Sequence, residues 1–304
     1  MASRSDTARP RALLTGCNGF TGRYVAAELE AAGYRVIGLI HDDDASSAAG
    51  ALRANLLDRA AVRAAVAEAC ADAVIHLAAI SFVQHGEADE IYRTNILGTR
   101  NLLDALCDRA QTPHIIVLAS SANVYGNAAA EPIDEHTPTS PANDYAVSKL
   151  AMEYMAKLWM DRLRITIVRP FNYTGIGQSE NFLIPKIVAH FRRGAKSIDL
   201  GNTDVSRDFS DVRDVGRAYA AIVAAAPAGE TINLCSGVAY SLDDVLTLMS
   251  KITGHEIEVR VNPAFVRSNE VKRLVGSNAR LRELTGFAPS IPLQATLEWM
   301  YSES

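Results

Sequence analysis

A rhythm in the first half of the chain limits its folds most. Short, predominantly apolar stretches recur at 12–15, 34–40, 73–77, 114–119 and 165–168. Between them lie helical patterns at 21–32, 59–69, 87–110 and 144–162. A strand that is apolar on both faces must be covered on both faces. Helices alternating with such strands supply that cover, which predicts a buried parallel sheet. Right-handed crossovers then make the sheet doubly wound.

After Arg169-Pro170 the rhythm loosens. Residues 172–210 hold glycine and proline, with one helix near 183–193. A helix is expected at 211–226 and a returning strand at 231–234, and the rest reads as short helices and loops. No internal repeat or low-complexity linker interrupts the chain. The expected organisation is therefore woven. An α/β doubly wound parallel sheet takes 10–171 plus about 211–235. A smaller, discontinuous α/β domain for substrate takes about 172–210 plus 236–304.

Composition narrows the function classes. With 304 residues, 48% hydrophobic and 21% charged, the chain can bury a large core without metal or disulfide staples. A net charge of -5 disfavours a nucleic-acid partner. No apolar run approaches the ~18 residues a membrane span needs, so no membrane partner is expected. Residues 1–9 are polar and read as a loose tail without a signal-peptide core, which predicts a cytoplasmic protein. Cys17, Cys70, Cys107 and Cys235 are widely spaced and are expected to be reduced packing residues. No His/Cys cluster has metal-ligand spacing, so no bound metal is expected.

The first apolar stretch runs into Gly16-x-x-Gly19-x-x-Gly22, which opens the first helix. Glycines here permit a tight turn and let backbone N–H groups approach a pyrophosphate. The helix N-terminus adds unpaired N–H groups and a favourable dipole. Position and spacing together predict a dinucleotide site. A site for NAD usually has an acid at the end of the second strand, for the ribose 2'-hydroxyl. Ile40 and His41 stand there, and Asp42 to Asp44 follow slightly late. Without that acid a 2'-phosphate is not repelled, and His41 or Arg53 would contact it. The expectation is NADP(H), with NAD(H) left open.

Tyr145 and Lys149 lie four apart on a helix and so share a face. An ammonium beside a phenol is expected to lower the tyrosine pKa. The phenol would then exchange a proton with a substrate hydroxyl or carbonyl. Ser120 and Ser121 follow the fourth strand, at the edge where parallel sheets bind ligands.

With these residues in place, the chain resembles the extended short-chain dehydrogenase/reductase family, whose members mostly act on nucleotide sugars. The resemblance rests on Thr15-Gly16-x-x-Gly19-Phe20-x-Gly22, His76-Leu77-Ala78-Ala79, Asn95-Ile96-Leu97-Gly98-Thr99, Ser121-x-x-Val124-Tyr125-Gly126, Tyr145-x-x-x-Lys149 and Arg169-Pro170-Phe171-Asn172, in family order. It implies a Rossmann sheet. It implies Tyr145 as acid/base, Lys149 as the residue that tunes it and holds the nicotinamide ribose, and Ser121 as the catalytic serine. It places the cofactor against Gly16, Gly19, Phe20, Gly22, His41, Leu77, Ala78, Ala79, Asn95, Tyr145 and Lys149. Asn55 and Leu56 would lie near the adenine, although the family usually has aspartate where Asn55 stands. It also implies a homodimer through a four-helix bundle made by 87–110 and 144–162.

Three reactions compete on such a scaffold: 4,6-dehydration, 4-epimerisation and 4-keto reduction. Dehydratases of the family carry a carboxylate two residues after the catalytic serine. Here Ser121-Ala122-Asn123 offers none, and an amide cannot shuttle a proton at neutral pH. The segments 169–178, 205–212 and 276–281 resemble members that reduce the C4 keto group of a GDP-4-keto-6-deoxyhexose, giving GDP-D-rhamnose or its C4 epimer. Those members often have aspartate where Asn123 stands. A nucleotide-sugar 4-epimerase is the alternative, and a non-catalytic dinucleotide sensor is the rival from another class. For the GDP-sugar, Arg207 and Arg267 are candidate phosphate clamps, because guanidinium is a planar fork. Asn123, Asn172 and Asn181 are candidates for phosphate or sugar oxygens, and Glu270 for nucleoside hydroxyls or base N–H. The plainer readings are an Arg207–Asp208 ion pair, Asn181 as a helix cap and His76 bonding locally. Product stereochemistry, the base, and hexose against heptose stay open.

Overall fold

The computed structural model describes residues 9–41, 50–80, 88–265 and 271–303. Asp42 to Asp44, His85, Arg267 and Glu270 lie outside the described residues. The first part runs β1 (Arg11–Thr15), α1 (Phe20–Ala31), β2 (Arg35–Ile40), β3 (Leu52–Arg53), α2 (Arg59–Ala69) and β4 (Ala73–His76). There follow α3 (Ala88–Tyr92), a π-helical turn at Arg93–Gly98, α4 (Thr99–Cys107) and β5 (Ile115–Ala119). A 3-10 turn at Ala122–Tyr125 leads to α5 (Asp144–Lys157), β6 (Ile165–Pro170) and β7 (Asn172–Thr174). Next come α6 (Leu183–Arg192), β8 (Ser197–Leu200), β9 (Ser206–Asp211), α7 (Val212–Ala225) and β10 (Thr231–Leu234). The chain continues with β11 (Ala239–Ser241), α8 (Leu242–Thr253), β12 (Glu258–Val261), β13 (Arg273–Leu274), α9 (Ala279–Thr285) and α10 (Leu293–Glu303).

Seven strands form a fully parallel sheet in the order β10-β6-β5-β4-β1-β2-β3. Successive residues of one strand enter opposite cores, which is why the strands read as apolar throughout. Leu13, Val74, Ile116, Leu118 and Ile165 pack under α2, α4 and α5, against Val62, Leu102, Leu106 and Met152. Leu14, Ile75, Val117, Val168 and Ile232 pack on the other face, against Val25 and Leu29 of α1 and Val215 and Ile222 of α7. The sheet is thus doubly wound, as the rhythm of the sequence requires.

A second sheet carries β11 and β13 on either side of β9, with β7 also pairing to β9. A third pairs β12 with β8. α6, α8 and α10 close a separate core there, around Ile187, Phe191, Val245, Met249 and Leu297. α8 is well bounded: Ser241 and Asp244 form a capping box at its start, and Gly254 ends it in the left-handed conformation.

Four expectations need correction. The expected helix at 87–110 is broken by the π-helical turn and ends at Cys107. The break centres on Asn95, whose side chain bonds outside its own helix. The expected helix at 144–162 stops at Lys157, because Trp159 and Met160 bond three residues back rather than four. The short strand β3 was not expected. The stretches read as loops contain β7, β8, β9, β11, β12 and β13, and the twelve-residue α8 is longer than the short helices expected.

Candidate active site

Strand order reverses between β1 and β4, and ligands of such sheets bind at the carboxyl edge beside that switch. The glycine turn, the loop after β4, Ser120-Ser121 after β5 and the start of β7 all meet this edge.

The turn is built around absent side chains. Gly16 has φ +70, and a Cβ there would lie 3.0 Å from the Ala78 nitrogen. A Cβ on Gly22 would overlap the Gly16 carbonyl oxygen and sit 2.7 Å from Cys17 Cα. Gly19 is the N-cap of α1 and has no side chain to cap it, so the first N–H groups of the helix stay available. These features suit a pyrophosphate. Phe20 stacks on Tyr173 at 6.0 Å, and Thr21 Oγ1 bonds the Tyr173 hydroxyl at 2.7 Å, tying the turn to β7.

The loop after β4 is held from below. The Ala78 N–H donates to Thr15 Oγ1 at 3.1 Å, and Thr15 Oγ1 bonds His76 Nδ1 at 2.7 Å. His76 Nε2 bonds Thr99 Oγ1 at 2.9 Å, and that hydroxyl donates to the Asn95 carbonyl at 2.7 Å. Since Thr99 donates onward, it accepts from His76, so His76 is the neutral Nε2–H tautomer. Burial, with help from Lys149, pushes its pKa down to about 3. Asn95 accepts from the Ile80 N–H at 2.9 Å and donates to the Ile80 carbonyl at 3.2 Å and to Ser148 Oγ at 3.0 Å. Its side chain thereby joins the loop 77–80 to α5.

The serine, tyrosine and lysine converge. Asn143 caps α5 by accepting from the Ala146 N–H, which places Tyr145 and Lys149 on the inward face. Ser121 is buried near Tyr145 and caps the 3-10 turn through the Asn123 N–H. Lys149 is buried, donates to the Ala119 carbonyl at 2.7 Å and lies 5.9 Å from the centre of the Tyr145 ring. Burial pulls its ammonium down to about 8, opposed by Glu153. The Tyr145 pKa runs opposite to expectation. Burial and the nearby Tyr173 raise it, and the neighbouring Ser121 only partly offsets them. A phenol so held is a proton donor at neutral pH.

Glu153 was not singled out in the sequence, and Arg169 entered only as part of a motif, without a role. Glu153 accepts from Ser120 Oγ at 2.5 Å and forms a two-pronged pair with Arg169, at 2.9 and 2.6 Å. Arg169 Nη1 donates to the Tyr125 hydroxyl at 2.9 Å, and that hydroxyl donates to Asn233 Oδ1 at 2.7 Å. The available signal was spacing: Glu153 follows Lys149 by four, as Lys149 follows Tyr145.

The other candidates lie as follows. His41 is exposed where β2 ends, and Arg53 is in register with Ile40 on β3, so both sit at one corner. Asn55 Oδ1 accepts from the Leu57 N–H at 2.9 Å, while Leu56 is buried and packs where a Cβ on Gly98 would sit. Leu77 and Ala79 are half-buried beside Ala78. Asn172 is exposed at the start of β7, and Asn123 is half-buried one turn from Ser121. Asn181 is exposed and does not cap α6, whose N-cap is Phe182. Arg207 does not pair with Asp208. The Asp208 carboxylate accepts from Ser236 and Gly237, while Arg207 donates to the Ser206 and Lys272 carbonyls.

The chain is similar to enzymes named for action on nucleotide sugars. GDP-6-deoxy-D-mannose reductase of Pseudomonas aeruginosa is 35% identical over 306 residues, covering 96% of each chain. GDP-6-deoxy-D-talose 4-dehydrogenase of Aggregatibacter actinomycetemcomitans is 31% identical, covering 95% of this chain and 96% of its own. A crystal structure from Burkholderia cenocepacia J2315 is 55% identical with TM-score 0.91, covering 97% of this chain and 98% of its own. The structure of RMD from Pseudomonas aeruginosa complexed with NADPH is 34% identical with TM-score 0.84, covering 96% of this chain and 98% of its own. The family model described as GDP-mannose 4,6 dehydratase matches residues 13–300, and the chain belongs to that family.

Proposed function

We propose that the protein reduces the C4 keto group of a GDP-4-keto-6-deoxyhexose, using NADP(H), to GDP-D-rhamnose or its C4 epimer. The observation that carries this is the meeting of Ser121 and Tyr145 beside Lys149, next to a 3-10 turn whose residues Ala122 to Tyr125 include no carboxylate. Dehydration needs that carboxylate to move the C5 proton and release the C6 hydroxyl; reduction does not. The names of the relatives at 35% and 31% identity support the same substrate class.

When bound, the nicotinamide supplies hydride to C4. Ser121 Oγ holds the carbonyl oxygen, and Tyr145 gives it a proton as the alkoxide forms. Lys149 stabilises the phenolate left behind until solvent restores the proton. Gly16, Gly19, Phe20 and Gly22 hold the dinucleotide phosphates. Leu77, Ala78 and Ala79 flank it, Asn95 fixes that loop, and Asn55 and Leu56 face the adenine. His41 and Arg53 receive the 2'-phosphate, a choice supported by the NADPH complex of the 34% identical relative. Arg207, Asn123, Asn172 and Asn181, with Arg267 and Glu270, bind the GDP-sugar. In this reading 10–171 plus about 211–235 hold cofactor, and about 172–210 plus 236–304 hold substrate. The protein is cytoplasmic and works as a homodimer through 87–110 and 144–162, whose exposed Leu97, Val147, Tyr154 and Leu158 form the face between copies.

The test is NADPH absorbance after adding GDP-4-keto-6-deoxymannose made in place by a separate dehydratase. Rapid loss is expected, reduced about 10²- to 10⁴-fold in Tyr145→Phe. No loss with NADPH or NADH overturns the assignment.

A further inference from the structure

Three charged side chains are buried together behind Ser121: Lys149, Glu153 and Arg169. A buried ion pair is a poor way to gain stability, since desolvation offsets its attraction. The position of this one suggests another use. We propose that Glu153 is a positioning residue for catalysis: its carboxylate holds the neighbouring Lys149 as an ammonium and, through Ser120, fixes the backbone that presents Ser121.

The argument starts from charge. Arg169 cannot lose its proton, so Glu153 is the one group in the cluster that can balance it. Glu153 lies one helical turn from Lys149, on the same face of α5. Other titratable neighbours give Lys149 no compensation. His76 on β4 is neutral, Tyr145 and Tyr173 are protonated phenols, and β5 offers only the Ala119 carbonyl. Without Glu153 the two buried cations would keep only Glu135, which accepts from the Asn233 N–H on the far side of Tyr125 and does not reach Lys149. Lys149 is the one able to relieve this, by deprotonating. Burial already weakens its hold on the proton to about 8 despite Glu153.

Geometry supplies the second half. Oε1 accepts from both Ser120 Oγ and Arg169 Nε, while Oε2 accepts from Arg169 Nη2. Arg169 continues to Tyr125 and Asn233 on β10. Ser120 is therefore locked to α5 and β6, and Ser121, the next residue, has its place fixed.

The role in catalysis rests on the proposed reductase reading; the ionisation of Lys149 can be measured without it. Carbon-13 labelling of the six lysines in the full-length protein lets NMR follow each side chain against pH. The Lys149 midpoint is expected to fall in Glu153→Gln, lowering its ratio of charged to neutral form about tenfold per pH unit moved, and Glu153→Asp should restore part of it. Glu153→Gln/Arg169→Met leaves no orphan charge, so it keeps the test open should the single variant not fold. Its midpoint should fall too, because Glu153 is the charge that opposes deprotonation of Lys149. A midpoint that does not move in folded variants overturns the proposal. If the midpoint falls, the alkaline limb of kcat/KM should move to lower pH with it. Movement of Lys149 in a protein that never consumes NADPH overturns the reductase reading alone. NADPH consumption with an unmoved midpoint overturns the role of Glu153 alone.

Discussion

His76 shows how one buried residue links local bonding to the pH range of the fold. Thr15, His76 and Thr99 form a chain of donors and acceptors with one consistent set of proton positions. A second ring proton would make the Thr15 hydroxyl accept from His76 instead of donating to it, so the hydroxyl proton would lose its partner. Burial, with Lys149 nearby, keeps the proton off the folded chain until about pH 3, while an unfolded histidine takes it near 6.5. Stability from this group is complete above the unfolded value and is lost as pH falls through the interval, at up to about 1.4 kcal/mol per pH unit. Urea unfolding between pH 7 and 4.5 should therefore fall less steeply in His76→Gln than in the wild type. The variant should itself start roughly 2–3 kcal/mol lower, from lost hydrogen bonds. Parallel pH curves would rule out the mechanism. At this scale the sequence was legible in part. Local bonding of His76 followed from its place at the end of an apolar strand. The direction of the Tyr145 shift did not, because it depends on how deeply the phenol is buried.

The start of α1 makes a sharper distinction between packing and binding. Gly22 packs its bare Cα against the Gly16 carbonyl and Cys17, so Gly22→Ala must displace backbone. A loss of roughly 2–4 kcal/mol is expected, read as a lower Tm together with weaker NADPH binding. Gly19 is different: its φ of -69 suits alanine, and a Cβ would approach only the Gly16 oxygen, at 3.2 Å. Gly19→Ala should therefore keep Tm within about 0.5 kcal/mol of stability while losing NADPH affinity. Affinity unchanged by calorimetry would remove the turn from the cofactor site. Elements buried on both sides were the easy ones to read from sequence. β9 was not, because Arg207, Asp208, Ser210 and Asp211 are all buried on it, and polarity hides such a strand. The break at Asn95 was also hidden, since its partners Ile80 and Ser148 are distant in sequence.

For the whole molecule, the helix pair beside the active site leaves apolar surface that one copy does not cover. Val147, Tyr154 and Leu158 are spaced seven and four apart along α5, so they share a face, and Leu97 lies on the neighbouring π-helical turn. Tyr154 is 60% exposed and Leu158 73%, unusual for large apolar groups in a chain with so many buried ones. The other side of α5 carries Lys149 and Glu153, so pairing of two copies would brace the helix that holds the catalytic groups. A stable pair needs about 800 Å² from each copy, more than these four side chains alone supply, so their neighbours along both helices must take part. Sedimentation at micromolar concentration should give a dimer for the wild type. Leu158→Glu would place a charge in an apolar contact between copies, which costs several kcal/mol and should give monomer. Leu158 makes no core contribution, so the monomer should keep its Tm nearly unchanged, whereas a wild-type monomer would show that this face meets no second copy.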